Sequence, residues 1–141
     1  MALDIGIGNG TSLSPVKGEP SISLDNDGYY WFLHPLFEDL RTTTGQYIDL
    51  YGDASFSGEQ LVALEEMLKN ARRLVDLQSA IWSVCIGYEL VPRRKNARSR
   101  SRPKEIMATV EKQRFLAELD KWESIVARAK ELNRPVVCFG D

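Results

Sequence analysis

The sequence predicts an α+β domain in which a mixed or mainly antiparallel sheet carries about three helices. Two segments carry the helical signal. Leu61, Leu64, Leu68, Ala71 and Val75 recur at spacings of three and four, as do Phe115, Leu119, Trp122, Val126 and Ala129. Each set draws one apolar stripe along a helix. Ile81 to Leu90 instead alternates with a period of two, which places Trp82, Val84, Ile86, Tyr88 and Leu90 on one face of a half-buried strand. The order of the predicted elements is strands, helix, strand, helix, hairpin, helix, strand. That order favours helices packed on a sheet over a regular βαβ array.

Residues 1–20 hold Gly6, Gly8, Gly10, Gly18, Pro15 and Pro20. They read as a flexible N-terminal segment containing at most a short strand, Leu3 to Ile7, with the single α+β domain running from 21 to 141. Ser21 to Leu24 alternates polar and apolar residues. Asp25-Asn26-Asp27-Gly28 carries turn chemistry, and Tyr29 to Leu33 is aromatic, so the pair predicts a β-hairpin. His34-Pro35 breaks the second strand and starts a short helix, with Leu36, Phe37 and Leu40 as its apolar face and Gly45 as its stop. Gln46 to Leu50 reads as a strand and Tyr51 to Ser55 as a loop.

The next helix has full start signals: Ser57 and Gln60 for a capping box, Phe56 and Leu61 for a hydrophobic staple. Glu105 to Val110 alternates again. It predicts a second hairpin with Ile81–Leu90, whose long tip is basic, the alternative being a final helix that starts at Pro103. Asn133 and Pro135 stop that helix, and Pro135 to Phe139 closes the sequence as a buried strand.

A chain of 141 residues with 43% hydrophobic and 27% charged residues buries roughly two-thirds of its unfolded surface and folds without a metal or disulfide staple. No apolar run reaches the length of about 18 residues that a membrane helix needs. Met1 to Gly10 lacks the basic-then-apolar pattern of a secretory signal. Cys85 and Cys138 lie in apolar segments and read as buried thiols of a reducing compartment, so a cytoplasmic location is expected. With His34 as the single histidine, no metal-ligand spacing is present, and no cofactor is expected.

Charge is unevenly spread. Arg93, Arg94, Lys95, Arg98, Arg100, Arg102 and Lys104 fall in one stretch without an acid, which leaves 11 basic against 20 acidic residues elsewhere, a net of −9. An acidic body of this kind suits a basic protein partner. The basic loop at 93–104 reads as a solvated tip, a protein contact or a phosphate-backbone contact; no aromatic lies within it to stack on bases.

Few residues offer chemistry. Gly6-Ile7-Gly8-Asn9-Gly10 lacks the following helix that a phosphate loop needs. His34 is the natural acid–base candidate, with Asp49 or Asp53 as carboxylate partner in a small hydrolase-like enzyme, or else a local cap. No Walker A, HExxH, CxxC or GxSxG motif occurs. Asp49 and Asp53, with Tyr47 and Tyr51, are candidates for partner binding. In the aromatic block, strand alternation puts Tyr30 and Phe32 on one face, either buried or displayed as anchors for a protein.

Three stretches carry a resemblance: Gly28-Tyr29-Tyr30-Trp31-Phe32-Leu33, Gln46-Tyr47-Ile48-Asp49-Leu50-Tyr51-Gly52-Asp53 and Arg134-Pro135-Val136-Val137-Cys138-Phe139-Gly140-Asp141. Together they resemble a group of small bacterial proteins, some of which look like immunity proteins that neutralise a secreted toxin. The resemblance spans about residues 21–141 and brings no catalytic residue with it. It implies a non-catalytic binding protein with a protein partner, and the basic stretch looks like an expansion relative to its pattern.

Overall fold

The computed structural model describes residues 2–90 and 103–141. Among them are six strands and three helices: β1 (Ala2–Ile7), β2 (Ser21–Asp25), α1 (Gly28–Thr44), β3 (Asp53–Phe56), α2 (Glu59–Asp76), β4 (Ile81–Leu90), β5 (Pro103–Glu111), α3 (Lys112–Leu132) and β6 (Val136–Gly140). The fold is α+β. A four-stranded sheet runs in the order β2-β1-β6-β3, and β4 and β5 form a separate two-stranded ribbon. Every pairing is antiparallel.

In the larger sheet Leu3, Ile5, Ile7, Ile22, Leu24, Ala54, Phe56, Val136 and Cys138 share the inner face and are buried. They meet the stripes of the helices: Leu33, Phe37 and Leu40 of α1, the five α2 residues and the five α3 residues named above, all buried in one core. α2 packs against both α1 and α3. Arg72 of α2 ties to Glu123 at 3.1 Å and to Asp120 on α3, and Lys130 reaches back from α3 to Glu65.

The short strand expected at Leu3 to Ile7 is present as β1 (Ala2–Ile7), and it belongs to the sheet rather than to a separate N-terminal segment. β1 is an inner strand, hydrogen-bonded on one side to β2 and on the other to β6. Its glycine content misleads because a glycine inside a strand can mark a close approach instead of a loop. Pro15 packs where Gly6 has no side chain.

The first predicted hairpin is also replaced. Tyr29 to Leu33 is the opening of α1, and Asp27 is its N-cap: Oδ1 accepts from the Tyr29 and Tyr30 amides at 3.0 and 3.4 Å. Asp and Asn serve tight turns and helix caps through the same side-chain oxygen. The helical period was present in Tyr30, Leu33, Phe37 and Leu40, but Pro35 interrupts it in the sequence. In the protein Pro35 sits inside the helix, where it forfeits one backbone hydrogen bond. Packing compensates: Tyr29 and Phe32 stand edge-on to Phe115 at 4.9 and 5.4 Å.

Gln46 to Leu50 forms no strand; the strand lies later, at Asp53–Phe56. α1 ends at Gly45 and α3 at Asn133, as the sequence predicts. Only half of the capping box forms. The Ser57 amide donates to Gln60 Oε1 at 3.3 Å, while Gly58, not Ser57, is the N-cap of α2.

The second hairpin is present, and Pro103 opens β5 rather than a helix. Its predicted face is broken, however. A bulge between Cys85 and Gly87 shifts the register, so Trp82 and Val84 oppose Val110 and Ala108, whereas Tyr88 and Leu90 oppose Glu105 and Pro103. Cross-strand partners share a face, and one extra residue moves all that follows to the other side. Trp82 and Val84 face the core; Tyr88 and Leu90 face solvent, 66% and 74% exposed. Among the described residues no helix is long and apolar enough to cross a membrane.

Candidate protein-binding surface

The link between α1 and β3 places the two candidate acids. Ile48 and Leu50 are buried while Tyr47 and Asp49 are half-buried and Tyr51 and Asp53 exposed. Buried and outward side chains alternate over this stretch, but side chains and turns satisfy the backbone instead of a neighbouring strand. Tyr30 Oη donates to the Ile48 carbonyl at 3.2 Å, Gln60 Nε2 to the Thr44 carbonyl at 3.2 Å, and the Ser55 amide to Gln46 Oε1 at 3.0 Å. Asp49 closes a local turn by accepting from the Tyr51 amide at 3.2 Å. The turn lies directly on the end of β6, where a Cβ at Gly140 would stand 2.5 Å from the Leu50 carbonyl oxygen. Only glycine leaves room for that approach.

On one side this ridge joins α1. His34 Nε2 lies 2.8 Å from Tyr47 Oη and 3.6 Å from Glu38. The Arg41 guanidinium stands 5.0 Å from the centre of the Tyr47 ring, within cation–π range. Trp31 lies 5.1 Å from the His34 ring and donates through Nε1 to Asn26 Oδ1 at 2.6 Å. Burial pushes the Tyr47 hydroxyl pKa up, with the Glu38 and Asp49 carboxylates adding to it. Tyr30 is pushed up in the same way, by burial and then by Tyr47 and Asp49. Both phenols stay neutral hydrogen-bonding groups.

On its other side the ridge runs onto the outer face of the four-stranded sheet. Asp53 pairs with Phe139, which pairs on its far edge with Asp4, which in turn pairs with Ser23. Ser23 Oγ donates to Asp4 Oδ1 at 2.7 Å, and Asp141 accepts from the Ala2 amide at 3.1 Å. A shallow groove of about 490 Å³ separates Asp4 and Phe139 from the chain around Pro15 to Glu19. Asp53 and Asp4 thus flank Phe139 on the two neighbouring strands.

Not every candidate belongs to this surface. Tyr30 is 2% exposed, and Phe32 packs 5.3 Å from Trp82 and 5.4 Å from Phe115. Their strand alternation disappeared with the strand: Tyr30 is in the core and not displayed, while Phe32 is half-buried between Trp82 and Phe115. His34 takes Tyr47 and Glu38 as neighbours, not Asp49 or Asp53, and Asp49 is engaged by its own turn. Arg93, Arg94, Lys95, Arg98, Arg100 and Arg102 lie outside the described residues; Lys104 is exposed on β5 opposite Glu89. Among the described residues no three His, Cys, Asp or Glu side chains converge to hold a metal ion. Asp4, Phe139 and Arg41 escaped the sequence reading as site residues, and Trp31 entered it only as a member of the aromatic block. Asp4 was detectable as the polar residue between Leu3 and Ile5 of an alternating strand; Trp31 and Arg41 required α1 to be seen as one helix.

No protein-family model matches the chain, and no curated protein or solved structure is detectably similar to it.

Proposed function

We propose that the chain is a non-catalytic protein-binding module, of the immunity type that the resemblance implies, and that it occludes a basic protein partner. The observation that supports this most is the outward row Tyr47, Asp49, Tyr51 and Asp53, held on buried Ile48 and Leu50 and continuous with Asp4 and Phe139. Exposed tyrosine, tryptophan and arginine side chains on a rigid support are the usual anchors of protein interfaces. Surrounding carboxylates accelerate encounter with a basic surface and select against acidic ones. The His34 cluster acts as a brace for Tyr47 within this reading, since its nearest polar neighbours are a neutral phenol and Glu38.

The test is capture from a lysate of the source cells with the wild-type chain, a Tyr51→Ala/Asp53→Asn variant, and a variant lacking residues 93–102. A basic protein retained by wild type and by the deletion, weakened by salt and lost with the double variant, is the expected result. Loss of a central anchor corresponds to about 2 kcal/mol, or about 30-fold in affinity. Capture that ignores Tyr51 and Asp53 would remove the reading. Nuclease-sensitive recovery that vanishes with the deletion would move the function to the basic stretch and a phosphate backbone.

A further inference from the structure

The two edges of the four-stranded sheet are finished differently. The Gly8 amide donates to the Pro135 carbonyl at 2.9 Å, and on the opposite side the Ile7 carbonyl accepts from the Val16 amide at 2.8 Å. Backbone groups of an antiparallel strand alternate in direction from residue to residue. Asp4 and Gly6 therefore face β6, while Leu3 and Ile5 face β2. Leu24 and Ile22, opposite Leu3 and Ile5, turn their backbone groups toward β1, and Ser21, Ser23 and Asp25 turn theirs away from the sheet. The Asp27 amide takes the Asp25 carbonyl at 2.8 Å. Among the described residues no strand pairs with the remaining groups. At the other edge the same alternation turns the Ser55 amide outward, and Gln46 Oε1 covers it at 3.0 Å. β2 has no such cover. Nor does Ser21–Asp25 contain a proline, a lysine or a bulge, which commonly close an edge strand.

We propose that the basic protein partner adds an extended segment along β2 as a fifth strand of this sheet, a mode of attachment that rests on the protein-binding reading. Antiparallel addition uses the free groups most fully. A residue facing Ser23 and another facing Ser21 each exchange an N–H and a carbonyl bond with it, and the Asp25 amide supplies a further donor. The side chains of those facing residues lie on the outer face, beside exposed Ser21, Ser23 and Asp25. The charges that β1 and β2 place on that face are both acidic, Asp4 and Asp25. Lys17 and Glu19, which line the groove beside Ser21, add one charge of each sign. Lysine or arginine therefore fits the outward positions of the added strand. Its alternate positions adjoin buried Ile22 and Leu24 and suit apolar residues. A second copy of β2 fits less well, because it would set two Asp4 and two Asp25 carboxylates on one face with no cation from either strand.

The probes are capped peptides that alternate lysine with valine or glutamate with valine, titrated into the isotope-labelled full chain and followed by its amide NMR signals. The lysine peptide should bind with a Kd of about 1 mM, the range that a handful of backbone hydrogen bonds reaches, and should move the Ser21, Ser23 and Asp25 amides. The glutamate peptide should bind at least about tenfold more weakly. Ser23→Pro removes the outward N–H without touching the β1 ladder and should abolish binding, whereas Ser23→Ala should keep it. The lysine peptide N-methylated at its lysine amides leaves the protein unaltered and should also fail, so the outcome does not depend on how Ser23→Pro folds. No binding, equal binding of the methylated and plain peptides, or shifts confined to residues away from β2 would overturn strand addition. Equal binding of the lysine and glutamate peptides would overturn the basic occupant. Movement of the same amides with protein concentration alone would give the edge to a second copy and overturn the proposal as well. Each of these results leaves lysate capture through Tyr51 and Asp53 standing, so the binding reading and strand addition fail separately.

Discussion

The four-stranded sheet and the β4–β5 ribbon are built from strands with the same period-two pattern, yet they treat it in opposite ways. In β1 the alternating Leu3, Ile5 and Ile7 are all fully buried. In β4 the alternation delivers two residues to the core and then, past the bulge, turns Tyr88 and Leu90 to solvent. The cysteines report the same contrast. Burial pushes the Cys138 thiol on β6 up to about 12, whereas Cys85 on the ribbon is half-exposed. Periodicity therefore fixes which residues share a face, while register and neighbours decide whether that face is buried.

Phe115 offers the strongest way to break this contrast, because it belongs to both regions. It is 1% exposed on α3, packs against Tyr29 and Phe32 of α1, and lies stacked with Trp82 of β4 at 6.0 Å between ring centres. Phe115→Ala should cost about 3–5 kcal/mol in urea or thermal unfolding, through lost transfer energy and the cavity left behind. Native-state hydrogen exchange should show the ribbon amides losing protection before those of β1 and β6. Equal loss in both regions would mean that the ribbon is as firmly bound to the core as the sheet.

The elements that the sequence revealed are those in which one pattern has one outcome. α2 and α3 were legible because their stripes repeat for several turns, and β6 because a short apolar run after Asn133 and Pro135 has few alternatives. α1 was legible only in its second half. Its first turn uses Asp27, which also suits a hairpin, and its middle carries Pro35, which usually marks a boundary. Tyr47, Asp49, Tyr51 and Asp53 stood out in the sequence as candidates, but their outward row was not legible, because the backbone beneath it is a turn and not the strand that Gln46 to Leu50 suggests. The row's continuation through Asp4 and Phe139 was not visible either, because it depends on β1 and β6 being neighbours, and those strands come from opposite ends of the sequence.

Asp27 tests the element that was misread. Asp27→Ala removes the side-chain acceptor for two amides and should destabilise the protein by about 1 kcal/mol. Asp27→Asn retains an acceptor and separates the cap from its charge. Burial raises the Asp27 pKa above its ordinary 3.8, outweighing the Tyr30 and Tyr29 amides that pull it down. The folded chain then holds the proton to higher pH than the unfolded chain, so this carboxyl favours folding in acid, and that contribution is lost as pH rises through the folded pKa. Thermal melts should show Asp27→Asn gaining on wild type between pH 3.5 and pH 7, values chosen to bracket an ordinary carboxyl. Asn falling behind as pH rises would show that the charge itself supports the helix start.

The smallest effect should come from Tyr88→Ala. Tyr88 has the bulk of a core residue, but the bulge has placed it on the solvent face of the ribbon. Its removal should change unfolding free energy by less than about 0.5 kcal/mol, the range of surface substitutions. Val84→Ala, two residues before the bulge on the opposite face, should cost more because Val84 packs against the core. If instead Tyr88→Ala were the costlier of the two, the strand would have to run without the Cys85–Gly87 shift. Tyr88 would then lie on the face of Trp82, where simple alternation in the sequence would put it.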